Sequence, residues 1–187
     1  ISGRVRYDLG RESFVGVLFN NREFAGQHSR LAVFDGSYRI GMNHRIQTTV
    51  AMSDHVDASG ARRTGHVLDI GMVKQSRSLG YIVAQNLVSP GYGNDLGFIP
   101  RVNYAKTWTN VSYRWWPESW IINWGPRVSY ARTYDFDDVL QDENAGLGVN
   151  VGFAKNIRFS SNFSRDMERF GGIDFFKTEY SISGGVN

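Results

Sequence analysis

The sequence predicts an all-β fold: an antiparallel, up-and-down transmembrane β-barrel in which about eleven strands are visible within a single domain, residues 1–187. Three observations lead there. Apolar and polar side chains alternate through successive segments, the connections run short then long, and tryptophans flank a tight turn. Successive side chains of a strand point to opposite faces, so a period of two marks a strand with one apolar and one polar face. No window places apolar residues at the i, i+3, i+4 and i+7 spacing of an amphipathic helix over a dozen positions. Nor does any stretch approach the roughly 20 apolar residues of a membrane-spanning helix.

Taken in order, the first two segments are less clearly two-faced, and Phe14 to Phe19 is apolar on both sides in places. In the third, Ala32, Phe34, Gly36, Tyr38 and Ile40 oppose Asp35, Ser37 and Arg39, with Leu31 and Val33 as apolar exceptions. The fourth sets Ile46, Thr48, Val50 and Met52 against Arg45, Gln47, Thr49 and Ser53; the fifth sets Leu68, Ile70 and Met72 against Asp69, Gly71 and Gln75. Leu79 to Leu87, the sixth, is again mixed. The seventh, Phe98 to Trp115, changes phase: Val102, Tyr104 and Trp108 share one parity, while Val111, Tyr113 and Trp115 share the other. An extra residue in one strand does this, which places a bulge near Thr109 and Asn110. A turn there would do the same but would break the short-long rhythm. The eighth segment follows the tryptophan turn. In the ninth, Ala145, Leu147, Val149, Val151 and Phe153 alternate with Asn144, Gly146, Gly148, Asn150 and Gly152. The tenth alternates Ile157, Phe159 and Phe163 with Arg158, Ser160, Asn162 and Ser164, and the last Phe176, Tyr180, Ile182 and Val186 with Lys177, Glu179, Ser181 and Ser183.

Tight turns are expected at Leu9 to Glu12, Gly41 to Asn43, Gln75 to Ser78, Pro117 to Glu118 and Ala154 to Asn156. Open loops are expected at Asn20 to Gln27, Asp54 to Gly65, Val88 to Gly97, Tyr134 to Glu143 and Asp166 to Ile173. A soluble sandwich, whose apolar faces meet each other, would also alternate. It has no reason to gather its long loops on one rim. Aromatic side chains collect where lipid meets water, so Tyr113, Trp115, Trp116, Trp120 and Trp124 are expected to form a membrane-interface girdle at the short-turn rim. Bacterial single-chain barrels close with an even strand number. Eleven strands therefore suggest a fragment of a longer chain, whose outer strands pair with parts beyond these residues.

Composition agrees with a folded chain, at 41% apolar and 14% aromatic residues. The mean hydropathy of −0.35 does not argue against a barrel, because lumen and loops are polar. Cysteine is absent, which excludes disulfides and thiolate metal sites. The net charge of +3 is scattered rather than striped, which excludes nucleic acid as a partner. Ile1 opens on no charged-then-apolar leader.

The blocks Phe19-Asn20-Asn21-Arg22-Glu23, Val33-Phe34-Asp35-Gly36-Ser37-Tyr38-Arg39 and Asn94-Asp95-Leu96-Gly97-Phe98-Ile99-Pro100-Arg101-Val102-Asn103-Tyr104 resemble those of an uncharacterised family of bacterial outer-membrane β-barrels. Similar order and spacing extend over most of the chain, including the tryptophan-proline turn. Members commonly carry a family-9-like carbohydrate-binding module ahead of the barrel. The resemblance implies location in the bacterial outer membrane, a porin-like wall and a link to glycans. It implies no reaction.

Taking the polar parity as lumenal sets Arg4, Arg6, Arg45, Arg101, Arg114, Arg127, Arg158 and Lys177 against Asp8, Asp35, Asp69 and Glu179. The lumen-lining set is Arg45, Gln47, Asp69, Arg101, Asn103, Arg127, Asn150, Arg158, Lys177 and Glu179. Such a wall favours anions, or forms ion-pair networks that plug the barrel. Asp54, His55, Asp57 and His66 match no ligand or acid-base spacing. Gly91-Tyr92-Gly93-Asn94-Asp95 lacks the lysine and helix of a phosphate loop. No catalytic residue, cofactor or metal is assigned. Arg62 and Arg63 could reach lipopolysaccharide phosphate, while Lys74 and Lys106, on the apolar parity, should sit near strand ends and reach head groups. The sequence thus points to a channel, export conduit or anchor whose partners are outer-membrane lipid and lipopolysaccharide. The alternative is a plugged scaffold that binds protein subunits or surface glycans through its loops.

Overall fold

The computed structural model describes residues 1–93 and 100–186. Eleven strands form one sheet in sequence order, every neighbour antiparallel. They are β1 (Ser2–Gly10), β2 (Ser13–Phe24), β3 (Gln27–Ile40), β4 (His44–Val56), β5 (Arg62–Gln75), β6 (Leu79–Val88), β7 (Tyr104–Tyr113), β8 (Ile121–Tyr134), β9 (Leu140–Phe153), β10 (Ile157–Phe170) and β11 (Ile173–Val186). Extensive packing runs between strands adjacent in sequence, so among the described residues no second layer of strands or helices covers either face.

Register carries one apolar face across the whole sheet. Val5, Val17, Phe34, Val50 and Leu68 are successive cross-strand partners from β1 to β5. Farther along, Tyr81, Val111, Val128, Leu147, Phe163 and Tyr180 are partners from β6 to β11. Most of these side chains stand in the open, among them Val17 at 54% exposed, Leu147 at 60% and Tyr180 at 63%, while Val50, Leu68 and Tyr81 are half-buried. The other face is more enclosed, with Ala51 at 3% and Leu31 at 6%. On that side glycines make room for the polar side chains of neighbouring strands. A Cβ at Gly148 would lie 2.5 Å from the Asn162 side-chain oxygen, and one at Gly16 would lie 2.8 Å from the Asp35 carboxylate.

Several expected boundaries are corrected. The turns at residues 11–12, 41–43, 76–78 and 154–156 are tight as expected. The loops expected at Asn20 to Gln27 and Asp166 to Ile173 are two-residue hairpins, at residues 25–26 and 171–172. Ala25, Gly26, Gly171 and Gly172 all take positive φ, between 50° and 81°, as a tight hairpin turn with the twist of its strands demands. The ladder persists through polar residues because opposite charges pair across it: Arg30 with Glu23 at 2.7 Å, and Arg169 with Asp174 at 2.6 Å. Strands also continue to Val56 and resume at Arg62, leaving residues 57–61 as the loop there. The expected Pro117 to Glu118 turn is a longer link, residues 114–120, held by a Trp115–Trp124 bridge. The strict short-long alternation of connections is therefore not observed.

No bulge interrupts β7, whose register runs evenly from Tyr104 to Tyr113 against β6. The phase change has another cause. Trp108 stays on the enclosed face, where its indole N–H donates to the Asn86 side-chain oxygen at 2.9 Å, while Val111 and Tyr113 face outward. Register shifts fall instead at Asp8/Gly10, Ile121/Asn123 and Thr133/Tyr134. Lys106 shares the enclosed face with its partners Asn86 and Thr133 and is not an outward anchor. Lys74 does lie on the apolar face, next to the end of β5. Of the open loop expected at Val88 to Gly97, Val88 still belongs to β6, residues 89–93 are described and residues 94–97 fall outside the described residues, as do the start of the Phe98 segment and most of the Asn94-to-Arg101 motif.

Candidate functional site

The face opposite the apolar one gathers the chain's ionic and small side chains. Of the residues expected to line a lumen, Arg45, Gln47, Asp69, Arg127, Asn150, Arg158, Lys177 and Glu179 share it, as the register shows. Arg101 and Asn103 do not sit in a strand. Both precede β7, where Arg101 pairs with Asp142 at 2.9 Å and Asn103, at φ 61°, accepts a hydrogen bond from the Phe136 amide at 3.2 Å.

Toward β1 and β4 the enclosed face is neutralised by pairing. Arg4 reaches across Gly16 to Asp35 at 2.8 Å. Glu12, in the first tight turn, bridges Arg39 at 2.6 Å and Arg45 at 2.9 Å. A turn glutamate two strands away gave no signal in the linear pattern. Lys177 pairs with Glu179 at 3.0 Å along β11.

The residues expected to form a girdle divide into two groups. Tyr113 meets Trp115 edge-on with centroids 4.7 Å apart, Trp115 stacks on Trp124 at 4.5 Å, and Trp120 stacks on Phe153 at 5.4 Å. Trp116 stands apart: its indole N–H donates to the Arg77 carbonyl at 3.1 Å, and the guanidinium groups of Arg77 and Arg114 lie 5.1 and 5.4 Å from its ring. Arg77 also pairs with Glu118. Gly125 permits this close approach, since a Cβ there would fall 1.8 Å from the Tyr113 carbonyl oxygen.

At the opposite ends of the strands the apolar face turns ionic. Asp54 accepts from Arg62 Nε at 2.8 Å and Nη2 at 3.1 Å, with His28 Nε2 at 3.2 Å. Glu143 accepts from the Tyr130 hydroxyl at 2.6 Å and Arg132 Nε at 2.8 Å. These two groups were missed in the sequence because their members are brought together by register alone. Asp54 and His55, adjacent in β4, point to opposite faces. Asp57 closes its own loop, accepting from the Ser59 hydroxyl at 2.6 Å and the Ser59 amide at 2.9 Å, which holds its carboxyl below the usual range. Arg63 lies 3.9 Å from Asp57. His66 meets Phe136 edge-on. The four residues Asp54, His55, Asp57 and His66 thus form no common centre.

Residues 37–183 match the family described as "Domain of unknown function (DUF5916)". No curated protein matches the chain. Among solved structures, a "Bacterial polysaccharide outer membrane secretin" superposes with a TM-score of 0.48 and 9% sequence identity, over 97% of this chain and 68% of that one.

Proposed function

We propose that this chain, which belongs to the DUF5916 family of domains of unknown function, forms part of the wall of a β-barrel in the bacterial outer membrane and encloses a hydrated passage. One observation carries this: large apolar side chains from all eleven strands stand exposed on one face with no protein over them. Contiguous exposed apolar surface on this scale is unfavourable in water and favourable in hydrocarbon, where a sheet spans with its apolar face outward and its polar face inward. The stacked tryptophans then mark the interface at the tight-turn rim, periplasmic in such barrels. The ionic groups around Asp54 and Glu143 mark the outer interface, beside lipopolysaccharide. The free edges of β1 and β11 must be paired by further strands, since open edges do not occur in lipid. An accompanying carbohydrate-binding module and a glycan cargo belong to the same proposal.

Cysteine labelling tests it, because the 187 residues contain no cysteine of their own. Leu147→Cys and Asn150→Cys, introduced separately into the full-length protein in membranes, are exposed to a hydrophilic maleimide. Asn150→Cys should react and Leu147→Cys should be shielded until the protein is unfolded by heating in SDS. Equal reactivity at both would reject the membrane assignment.

A further inference from the structure

We propose that the enclosed face carries, at its tight-turn end, a binding site for polyvalent anions built from Arg114, Arg127 and Arg158. Its place in a passage rests on the barrel proposal; its chemistry does not. Arginines elsewhere on this face have carboxylates: Arg4 has Asp35, and Arg39 and Arg45 share Glu12. Among the described residues no carboxylate lies within 4.0 Å of Arg114, Arg127 or Arg158. The register explains why. Arg158 is flanked across the sheet by Gly152 and Gly185, and Arg127 by Ser112 and Gly148. Glycine and serine offer these side chains neither a counter-charge nor bulk.

What the small neighbours leave is space. A groove of about 640 Å³ is lined by the three arginines together with Asn123, Asn150 and Ser160, and no acidic side chain contributes to it. Guanidinium groups present forked N–H donors that match carboxylate and phosphate oxygens two at a time. The amides and the hydroxyl add neutral polar partners suited to sugar hydroxyls. Three like charges with no counter-ion repel one another, and a bound anion relieves that repulsion.

Spacing selects the ligand. Arg114, in the link just after β7, lies two residues beyond Ser112, the cross-strand partner of Arg127, which puts the two arginine Cα atoms roughly 8 Å apart. Arg127 and Arg158 are two strands and four residues apart, or roughly 16 Å. Charges spread over that span suit a chain bearing several carboxylates or phosphates, which can meet all three guanidinium groups at once. The class is therefore an acidic oligosaccharide or a short oligophosphate, sharing charged groups repeated along a flexible chain.

The test is calorimetric titration of the full-length protein folded in detergent micelles, with trigalacturonate, with tripolyphosphate and with neutral maltotriose. At least one anion should bind, maltotriose should not, and the tighter anion identifies the source of the charge. The Arg127→Ser/Arg158→Ser double variant should weaken binding at least tenfold. Arg132→Ser, on the opposite face, should leave it unchanged. Arg158 has glycine on both sides, so its removal takes away no packing; heat-modifiable migration on gels confirms that each variant folds. Binding of neither anion, or equal binding by the double variant, overturns the proposal. Planar-bilayer conductance separates it from the barrel proposal: binding without conductance leaves the site and removes the passage, and conductance without binding does the reverse.

Discussion

Leu147 lies midway along β9, where the apolar and ionic surfaces make opposite demands on a substitution. It is 60% exposed and pairs with Val128 and Phe163. If the exposed part touches hydrocarbon, about 60% of the roughly 1.5–3 kcal/mol for full leucine burial comes from lipid, or about 1–2 kcal/mol. Leu147→Ala should lose that amount. Leu147→Arg should lose about 2–4 kcal/mol, the cost of a cation near the bilayer midplane of a barrel. At a water-exposed surface position the same change would stay within about 0.5 kcal/mol. Asn150→Arg, three positions on and facing inward, is the matched control, for which a hydrated interior predicts a small effect. Stability is read from urea titrations of full-length protein folded into lipid vesicles. The membrane assignment fails if Leu147→Arg unfolds at the wild-type midpoint, or if Asn150→Arg is the more damaging of the two.

Three smaller perturbations probe local structure. Gly125→Val places a side chain where a Cβ alone would lie 1.8 Å from the Tyr113 carbonyl, and the forced shift should lower stability by about 1–3 kcal/mol in the same titration. Trp108→Phe removes the indole donor to Asn86 and should cost about 1 kcal/mol, while leaving quenching of the remaining tryptophans by brominated lipid unchanged; reduced quenching would put Trp108 in lipid. Asp57 is held below its ordinary pKa of 3.8 by Ser59, so the order it gives residues 57–61 should be complete above that pH and lost only as pH falls through the depressed value. Asp57→Ala should lose that order at neutral pH, seen as faster tryptic cleavage after Arg62 and Arg63.

Strand number and facing were legible because residues such as Ile46 to Met52 and Ala145 to Phe153 alternate without interruption. The lengths of strands were not. Asn20 to Phe24 and Asp166 to Phe170 are polar on both faces, which suggests loop, yet cross-strand ion pairs extend the ladder through them. The signal for the second case was present in Gly171-Gly172, a dipeptide that favours a two-residue hairpin. Trp108 misled in another way. An aromatic residue on the polar face resembles a slipped register until Asn86, on the neighbouring strand, is seen to accept its N–H. The arginine groove was half visible: the lone arginines could be read, but the glycines that leave them unpaired lie on other strands.

The outward face also sets its own height. On β4 the outward positions run from His44, beside Lys74, to Asp54, bound to Arg62, with Ile46, Thr48, Val50 and Met52 between. Ten residue steps in a strand cover about 33 Å. A tilt of about 40° projects this to about 25 Å, the height of the apolar band of an outer-membrane barrel. On β9 the same interval separates Glu143, bonded to Tyr130 and Arg132, from Phe153, stacked on Trp120. Two strands far apart in the sheet thus place an ionic group at one limit and an interfacial group at the other, with the same separation. A bilayer of fixed thickness would impose that shared interval on both strands.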